Sequence, residues 1–299
     1  MVDFLNFLFI GLVNGSIFAL VSMGIALLFG TVRIINVAHG ELFVIGAYIA
    51  IVLTNATGNI GFFQAHTFLG PILSLILSAG VAFLLGFGLD RVLFFRIRAK
   101  GEHIEETILV LTLGLSLLIQ NILLLLFGAE PKQSATFTEG ALSVVDVQIS
   151  KARIIVAGLA VLLIVVLFLF LVRTKLGMTI RAVGQNPEAA RALGVPADRM
   201  YALTMGTSAA LAASAGSLVA AIFWIVPTSG SPLAIKGFII VILGGLGSIS
   251  GALVGSYIIG LAESLSIIFL PSQFKELIGI LIMIGILMFR PFGLFGEEE

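Results

Sequence analysis

Two stretches of this chain hold residues whose types and spacing can do chemistry. The first is Arg33-Ile-Ile-Asn36-Val-Ala-His39-Gly40-Glu41. Asn36 is a capping type, and a helix running from it through Gly46 would carry His39 and Glu41 in its first turn. At membrane depth such a helix start presents free backbone N–H groups, a site for an anion or a carboxylate. At the membrane surface the same turn is an ordinary re-entrant loop in which Glu41 can pair with Arg33, and the distribution of basic residues favours that placement.

The second stretch is 173–200, the longest strongly charged interruption of an otherwise apolar chain. It contains a short helix with its own punctuation. Asn186 can cap it, Pro187 suits its first turn, and Glu188 suits the positive end of its dipole. Gly194 supplies a left-handed stop, and Pro196 prevents continuation. The spacing predicts a helix of about two turns, roughly 10 Å long, slung between two spans.

Beyond these stretches, Asp90, Lys236 and Glu263 are ionisable residues at or near membrane depth, where charge is costly and functional by default. Each also has a structural reading: Asp90 and Arg91 at the interface, Lys236 snorkelling to the outer surface, Glu263 hydrogen-bonded to a Ser or Thr of a neighbouring span. Gln120, Asn121 and Asn14 can line a polar path, although bridging of helices is the favoured reading. Asn36, His39, Glu41, Gln120 and Glu263 are thus the candidates for a translocation path.

Other chemistry is excluded by what is missing. No Lys is followed by Ser or Thr, so there is no phosphate-binding G-x-x-x-x-G-K-[ST] loop. The histidines are His39, His66 and His103, with no H-E-x-x-H and no pair to hold a metal. His66 and His103 read as loop residues, so an intramembrane Ser/His enzyme has no catalytic set. With no cysteine, disulfides and thiol catalysis are excluded. No cofactor site is expected.

The elements that must position these residues are membrane helices. Hydrophobic residues make up 59% of the 299, charged residues 11%, and the mean hydropathy is +1.19. That is far too much apolar surface for a soluble domain to hide. The net charge of zero argues against a nucleic-acid partner. The N-terminus Met1-Val2-Asp3 lacks a basic n-region, so the following apolar run is expected to be retained as a span. Apolar runs of spanning length lie near 4–30, 69–95, 107–128, 152–172 and 200–226, with weaker ones at 37–56, 251–270 and 276–289. Segment 234–247 is short of the roughly 20 residues a span needs and reads either as a short span or as a re-entrant half-helix. The expected fold is an all-α polytopic membrane protein of about eight or nine segments, forming one domain over 1–299.

Eleven of the sixteen basic residues fall in one set of loops: Arg33, Arg91, Arg96, Arg98, Lys100, the five within 173–199, and Arg290. The other set holds Lys132, Lys151, Arg153, Lys236 and Lys275. The positive-inside rule makes the first set cytoplasmic, with the C-terminus inside and, if every segment crosses, the N-terminus outside. Residues 129–151 become an external loop of mixed charge, with Asp146 in it, that either touches a soluble partner or is simply solvated. Gly11 with Gly15, Gly251 with Gly255, and the Gly/Ala/Ser ladder of 206–221 read as helix–helix seams. Segments 35–46 and 234–245 share a polar start, a Gly and an apolar helix, a hint of two related halves.

Glu188-Ala189-Ala190, three residues and then Gly194 resembles the E-A-A-x-x-x-G coupling loop of ABC-importer permeases. Its surroundings resemble the branched-chain amino acid permeases of the LivH type, through Ile35–Glu41, Thr112–Asn121, Gly244–Gly251 and Arg290–Gly296 in that order. The resemblance implies a permease subunit for leucine, isoleucine and valine in the cell's inner membrane. Pro187, Glu188, Ala189, Ala190 and Gly194 would be its ATPase-coupling residues. Its partners would be a second related permease, two cytosolic ABC ATPases, an extracytoplasmic substrate-binding protein and the surrounding lipid. Related permeases move urea or other amides, and the motifs do not exclude them. A self-sufficient ion-coupled transporter is the reading from another class, and it would need a coupling-ion site within this one chain.

Overall fold

In the lipid interior every backbone polar group must find its partner within the chain, so the long apolar runs become helices. The computed structural model describes residues 2–57, 68–99, 101, 103–144 and 147–296; His66, Lys100 and Asp146 lie outside them. Eight helical segments among the described residues are long and apolar enough to cross a membrane. In chain order the helices are α1 (Val2–Val32), α2 (His39–Thr57), α3 (Leu69–Arg98, with a π-turn at Asp90–Phe94), α4 (Ile104–Phe127) and α5 (Lys151–Arg173). They continue with α6 (Lys175–Gln185), α7 (Pro187–Ala192), α8 (Ala197–Ala220), α9 (Gly230–Gly244), α10 (Ile249–Ser266) and α11 (Lys275–Phe289). The polytopic all-helical expectation holds. Among the described residues the one sheet is an antiparallel hairpin, β1 (Ala141–Val144) with β2 (Val147–Ser150).

Helices α1, α2 and α8 form the core, and α3, α4 and α5 turn long apolar faces outward, as Leu84, Val110, Leu125 and Phe168 illustrate. Backbones approach closely where glycines allow it, as packing-driven association in lipid requires. A Cβ on Gly11 would lie 2.9 Å from the Leu261 Cα, and one on Gly15 2.8 Å from the Tyr257 ring. These two glycines therefore seat α1 on α10. Gly255 faces the Ile240 carbonyl, so it marks the α9–α10 seam. The ladder of 206–221 is buried on nearly every side, between α1, α2 and α3. Asn14 bridges α1 to Ser264 of α10, whereas Asn121 is exposed and bonds back to the Leu117 carbonyl of its own helix.

Two spans are broken, and this break organises the molecule. After α1 ends at Val32, residues 33–38 turn back into the bundle, beginning with Arg33 at φ +56°. They deliver His39 beside Gly24, whose added Cβ would be 3.1 Å from the imidazole. Gly24 is eight residues before Val32 (24 to 32), so α2 starts about 12 Å inside the bundle at 1.5 Å per residue. On the other side α8 ends at Ala220, and residues 221–229 re-enter through the short 3₁₀ turn Pro227–Ser229. They deliver Gly230, the first residue of α9, directly against Gly40. The start of α9 is thus deep, and its end at Gly244 reaches the face carrying Gly30, Gly247 and the C-terminal residues Phe295 and Gly296.

Segment 234–247 belongs to a short span: α9 with the preceding turn Pro227–Ser229 is one of the eight helical segments long and apolar enough to cross, and its first residue lies against Gly40 inside the bundle. α1, link, α2 and α8, link, α9 run in opposite directions across the bundle, and the starts of α2 and α9 meet through Gly40 and Gly230.

Residues 129–151 are not simply a solvated loop. Lys132 bridges Ile225 in both directions, Ser134 N–H donates to the Ala220 carbonyl, and Ala135 N–H donates to Thr54 Oγ1. Phe137 is buried. The two Lys132 bonds satisfy the backbone groups of Ile225 in the non-helical link 221–229, and the Ser134 bond satisfies a carbonyl at the end of α8. At the opposite face, Leu294 and Phe295 N–H groups donate to the Leu243 and Gly244 carbonyls, which closes the end of α9.

Candidate functional site

The two broken spans meet at Glu41. Its side chain is fully buried, with 0% of the residue exposed. Ser116 Oγ of α4 donates to its Oε1 at 3.1 Å, and Ser231 Oγ of α9 donates to the same oxygen at 3.4 Å. Its Oε2 has no hydrogen-bond partner. Arg33 is not its counter-ion, because the link carries Arg33 to the basic face while Glu41 points inward. Ser116 is twelve residues beyond Ile104 (104 to 116), roughly 18 Å along α4, which is close to the middle of a ~30 Å hydrocarbon core. The surface placement favoured for the Asn36–Glu41 turn is thus overturned. The count of basic loop residues reports where a loop leaves the membrane and is blind to a link that turns back in.

Around this carboxylate the link is held by side chains. Asn36 Oδ1 accepts from Ala38 N–H at 3.1 Å and so shapes the turn that opens α2, while its amide reaches Met205 Sδ at 3.8 Å. Val37 N–H donates to Thr112 Oγ1 of α4 at 3.2 Å. His39 is buried, with Nδ1 3.4 Å from Ser208 Oγ, which itself donates to the Gly24 carbonyl at 2.7 Å. Asn36, His39 and Glu41 therefore come together. Gln120, one turn beyond Ser116 on α4, is half-buried. Below the junction a cavity of about 1030 Å³ opens to the basic face, bounded among others by Arg33, Glu105, Glu106, Leu109 and Phe295. Leu109 is seven residues, about 10 Å, from Ser116.

Glu263 stands apart. Lys236 Nζ of α9 donates to its Oε2 at 2.8 Å, lies 3.9 Å from Glu276 Oε1 of α11, and sits over the Phe18 ring. The Ser or Thr partner expected for Glu263 is replaced by a cation, because α9 runs beside α10 and aims Lys236 up the seam. Glu263 is buried and Lys236 half-buried in this pair, and its members bind each other. A second pair joins the buried Asp90 to Arg98 through two bonds of 2.8 and 2.9 Å, with the guanidinium over the Tyr201 ring. Asp90 is therefore held within the packed end of α3.

The charged stretch folds as two helices, not one. α6 is capped by Thr174 Oγ1 on Gly177 N–H and buries Gly177, Ile180 and Val183 against the end of α5 and α1. Its apolar face was legible but too short to stand out. α7 is capped as expected, by Asn186 Oδ1 accepting from Glu188 and Ala189 N–H at 3.1 and 2.9 Å. It closes with Gly194 N–H on the Arg191 carbonyl and Val195 N–H on the Ala190 carbonyl, with Gly194 at φ +83°, a left-handed stop of the Schellman kind. Pro187 and Glu188 open this stub, and Ala190 pins it to the bundle. Glu188, Ala189 and Gly194 face outward, as does Leu193 at 85% exposure. Leu193, Ser116 and Ser231 were not singled out from sequence. Two of them are ordinary serines whose meaning comes only from what they touch.

Comparison with known proteins places this architecture. The family profile described as "Branched-chain amino acid transport system / permease component" matches residues 7–287. The high-affinity branched-chain amino acid transport system permease protein BraD of Pseudomonas aeruginosa is 30% identical, over 97% of this chain and 94% of its own length. The corresponding LivH protein of Escherichia coli is 29% identical over 99% and 96%. A probable branched-chain amino acid transport permease protein LivH of Methanocaldococcus jannaschii is 30% identical over 96% and 91%. No solved structure matches. A profile spanning nearly the whole chain, on a bundle of eight candidate spans, leaves one assignment: the chain belongs to the family of branched-chain amino acid transport permease components.

Proposed function

We propose that this protein is the membrane-spanning permease subunit of an ABC importer for branched-chain amino acids, driven by separate cytosolic ATPases. The observation that carries the reading is α7, a helix closed at both ends and held out from the basic face with Glu188, Ala189 and Leu193 exposed. A stub so short has no helical stability of its own, so caps at both ends point to a shape that is needed. The names of the full-length relatives supply the substrate class and the setting of a multi-component transport system. In this reading the basic face and the C-terminus are cytoplasmic and the ATPases seat on α7. A second permease completes the pathway, and a soluble protein delivers substrate to the opposite face. The chain itself does no hydrolysis.

The test is reconstitution of the complete complex in proteoliposomes. Glu188→Lys reverses the charge at the stub's N-terminus, and Gly194→Val forces a β-branched residue into a left-handed turn at a cost of about 1–2 kcal/mol. Both variants should insert normally and lose ATPase binding or the coupling of hydrolysis to uptake. Normal uptake in both would remove the basis for the reading. A proton-coupled alternative has one observation in its favour, the buried Glu41 without a counter-ion. It predicts leucine uptake driven by a proton gradient with the ATPases left out, and the importer reading predicts none.

A further inference from the structure

We propose that the Glu41 carboxylate receives the ammonium group of the transported amino acid at mid-membrane, held in place by the hydroxyls of Ser116 and Ser231. The inference rests on the importer reading above and goes beyond it by naming the atom that reads the substrate.

A buried polar atom is ordinarily satisfied, and one that is not needs a reason. Glu41 Oε1 takes two hydroxyl donors and Oε2 takes none. Oε2 is directed at the first residue of α9: a Cβ on Gly230 would lie 2.8 Å from it. Gly230 has an ordinary helical φ of −69°, so glycine is required here for space and not for backbone conformation. Nor is the carboxylate a plain cap for α9, since the preceding turn carries its own bond, Ser229 Oγ accepting from Val226 N–H at 3.2 Å. The half-buried cations Lys236 and Arg98 are paired elsewhere, with Glu263 and Asp90.

An acidic group with one open oxygen selects a cationic hydrogen-bond donor. One carboxylate and two hydroxyls fall well short of the six to eight oxygens of a calcium site, whereas an ammonium needs only about three acceptors. In a membrane the cation can arrive with the substrate, and the α-amine of an amino acid is such a cation. The half-helix starts of α2 and α9 add positive dipole ends at the same place, suited to the carboxylate of that zwitterion. At this junction the helix starts touch through Gly40 and Gly230 backbones. Parting them separates the two glycines, breaks the Ser231–Glu41 bond and exposes Oε2.

The experiment uses the full complex in proteoliposomes, with its loaded binding protein outside. Glu41→Gln keeps the shape and the two serine bonds and removes the charge. In an assembled complex it should lower leucine and valine uptake alike by tenfold or more. If that variant does not assemble, the double variant Ser116→Ala/Ser231→Ala takes its place. It keeps the carboxylate, frees it to swing, and should lower uptake at least fivefold in an assembled complex. Uptake within twofold of wild type in an assembled variant overturns this inference and leaves the importer reading standing. A wild-type complex that carries a neutral amide and no amino acid overturns both.

Discussion

A single side chain at membrane depth is judged by its partner. Glu263 and Lys236 show the structural outcome: two charges 2.8 Å apart in a helix seam, each costly alone and tolerable together. Lys236→Met should therefore destabilise the protein by about 3–5 kcal/mol, the usual cost of orphaning a buried charge. Lys236→Met/Glu263→Leu should recover most of that loss. Thermal unfolding in detergent reads both, and a single variant as stable as wild type would show that Glu263 is hydrated. Glu41 is the opposite case, with bonds to neutral hydroxyls and one oxygen left over. The sequence could not separate the two by partner, since it offers residue type and not the neighbour each side chain meets.

At the scale of elements, glycine position decides which faces meet. Gly80 and Gly86 lie on the same helix, α3, yet their surroundings differ completely. A Cβ on Gly80 meets nothing within 4 Å, while one on Gly86 would lie 2.7 Å from the Ala209 Cβ and the Met205 carbonyl of α8. Gly80→Ala should be neutral or stabilise by up to about 1 kcal/mol through helix propensity. Gly86→Ala should destabilise by about 1–3 kcal/mol through overpacking. Melting temperatures of the two variants should move in different directions, and equal shifts would argue against close α3–α8 packing. Gly255→Leu should likewise disturb assembly or transport by pushing α9 off α10. The caps of α7 act at this scale too. Asn186→Ala removes the acceptor for two N–H groups, worth about 1 kcal/mol locally, and should raise hydrogen exchange across 187–192 while leaving α8 protected.

For the whole molecule, the inverted arrangement of broken spans ties orientation to mechanism. Because the chain has no cysteine, single cysteines can report sidedness without background. Arg191→Cys should be labelled by an impermeant thiol reagent only from the cytoplasmic side, and Glu139→Cys only from outside. The reverse pattern would invert the topology and remove α7 from the reach of any cytosolic ATPase. On the proposed pathway the α2–α9 junction closes to backbone contact at Gly40 and Gly230, so free substrate would find no open site there. The permease pair without its partners should accordingly show no saturable binding of leucine at micromolar concentration by equilibrium dialysis. Micromolar binding would mean that the junction opens unaided.

Composition and the lengths of apolar runs determined a polytopic helical bundle, since hydrophobic surface and backbone hydrogen bonding leave a chain this apolar no other state. Local chemistry also determined α7, because Asn186, Pro187 and Gly194 act on backbone groups only a few residues away. The candidate site was legible in part. Asn36, His39 and Glu41 stood out as polar residues near an apolar run, but their depth did not, because a turn has the same residues at the surface as in the core. Only the tertiary structure decided that 33–38 and 221–229 re-enter the bundle, that Ser116 and Ser231 reach Glu41, and that Lys236 claims Glu263. Those pairings join residues 75, 190 and 27 positions apart. They arise where helices from distant parts of the chain meet, and a helix's own periodicity says which residues share a face but not which neighbour that face will meet.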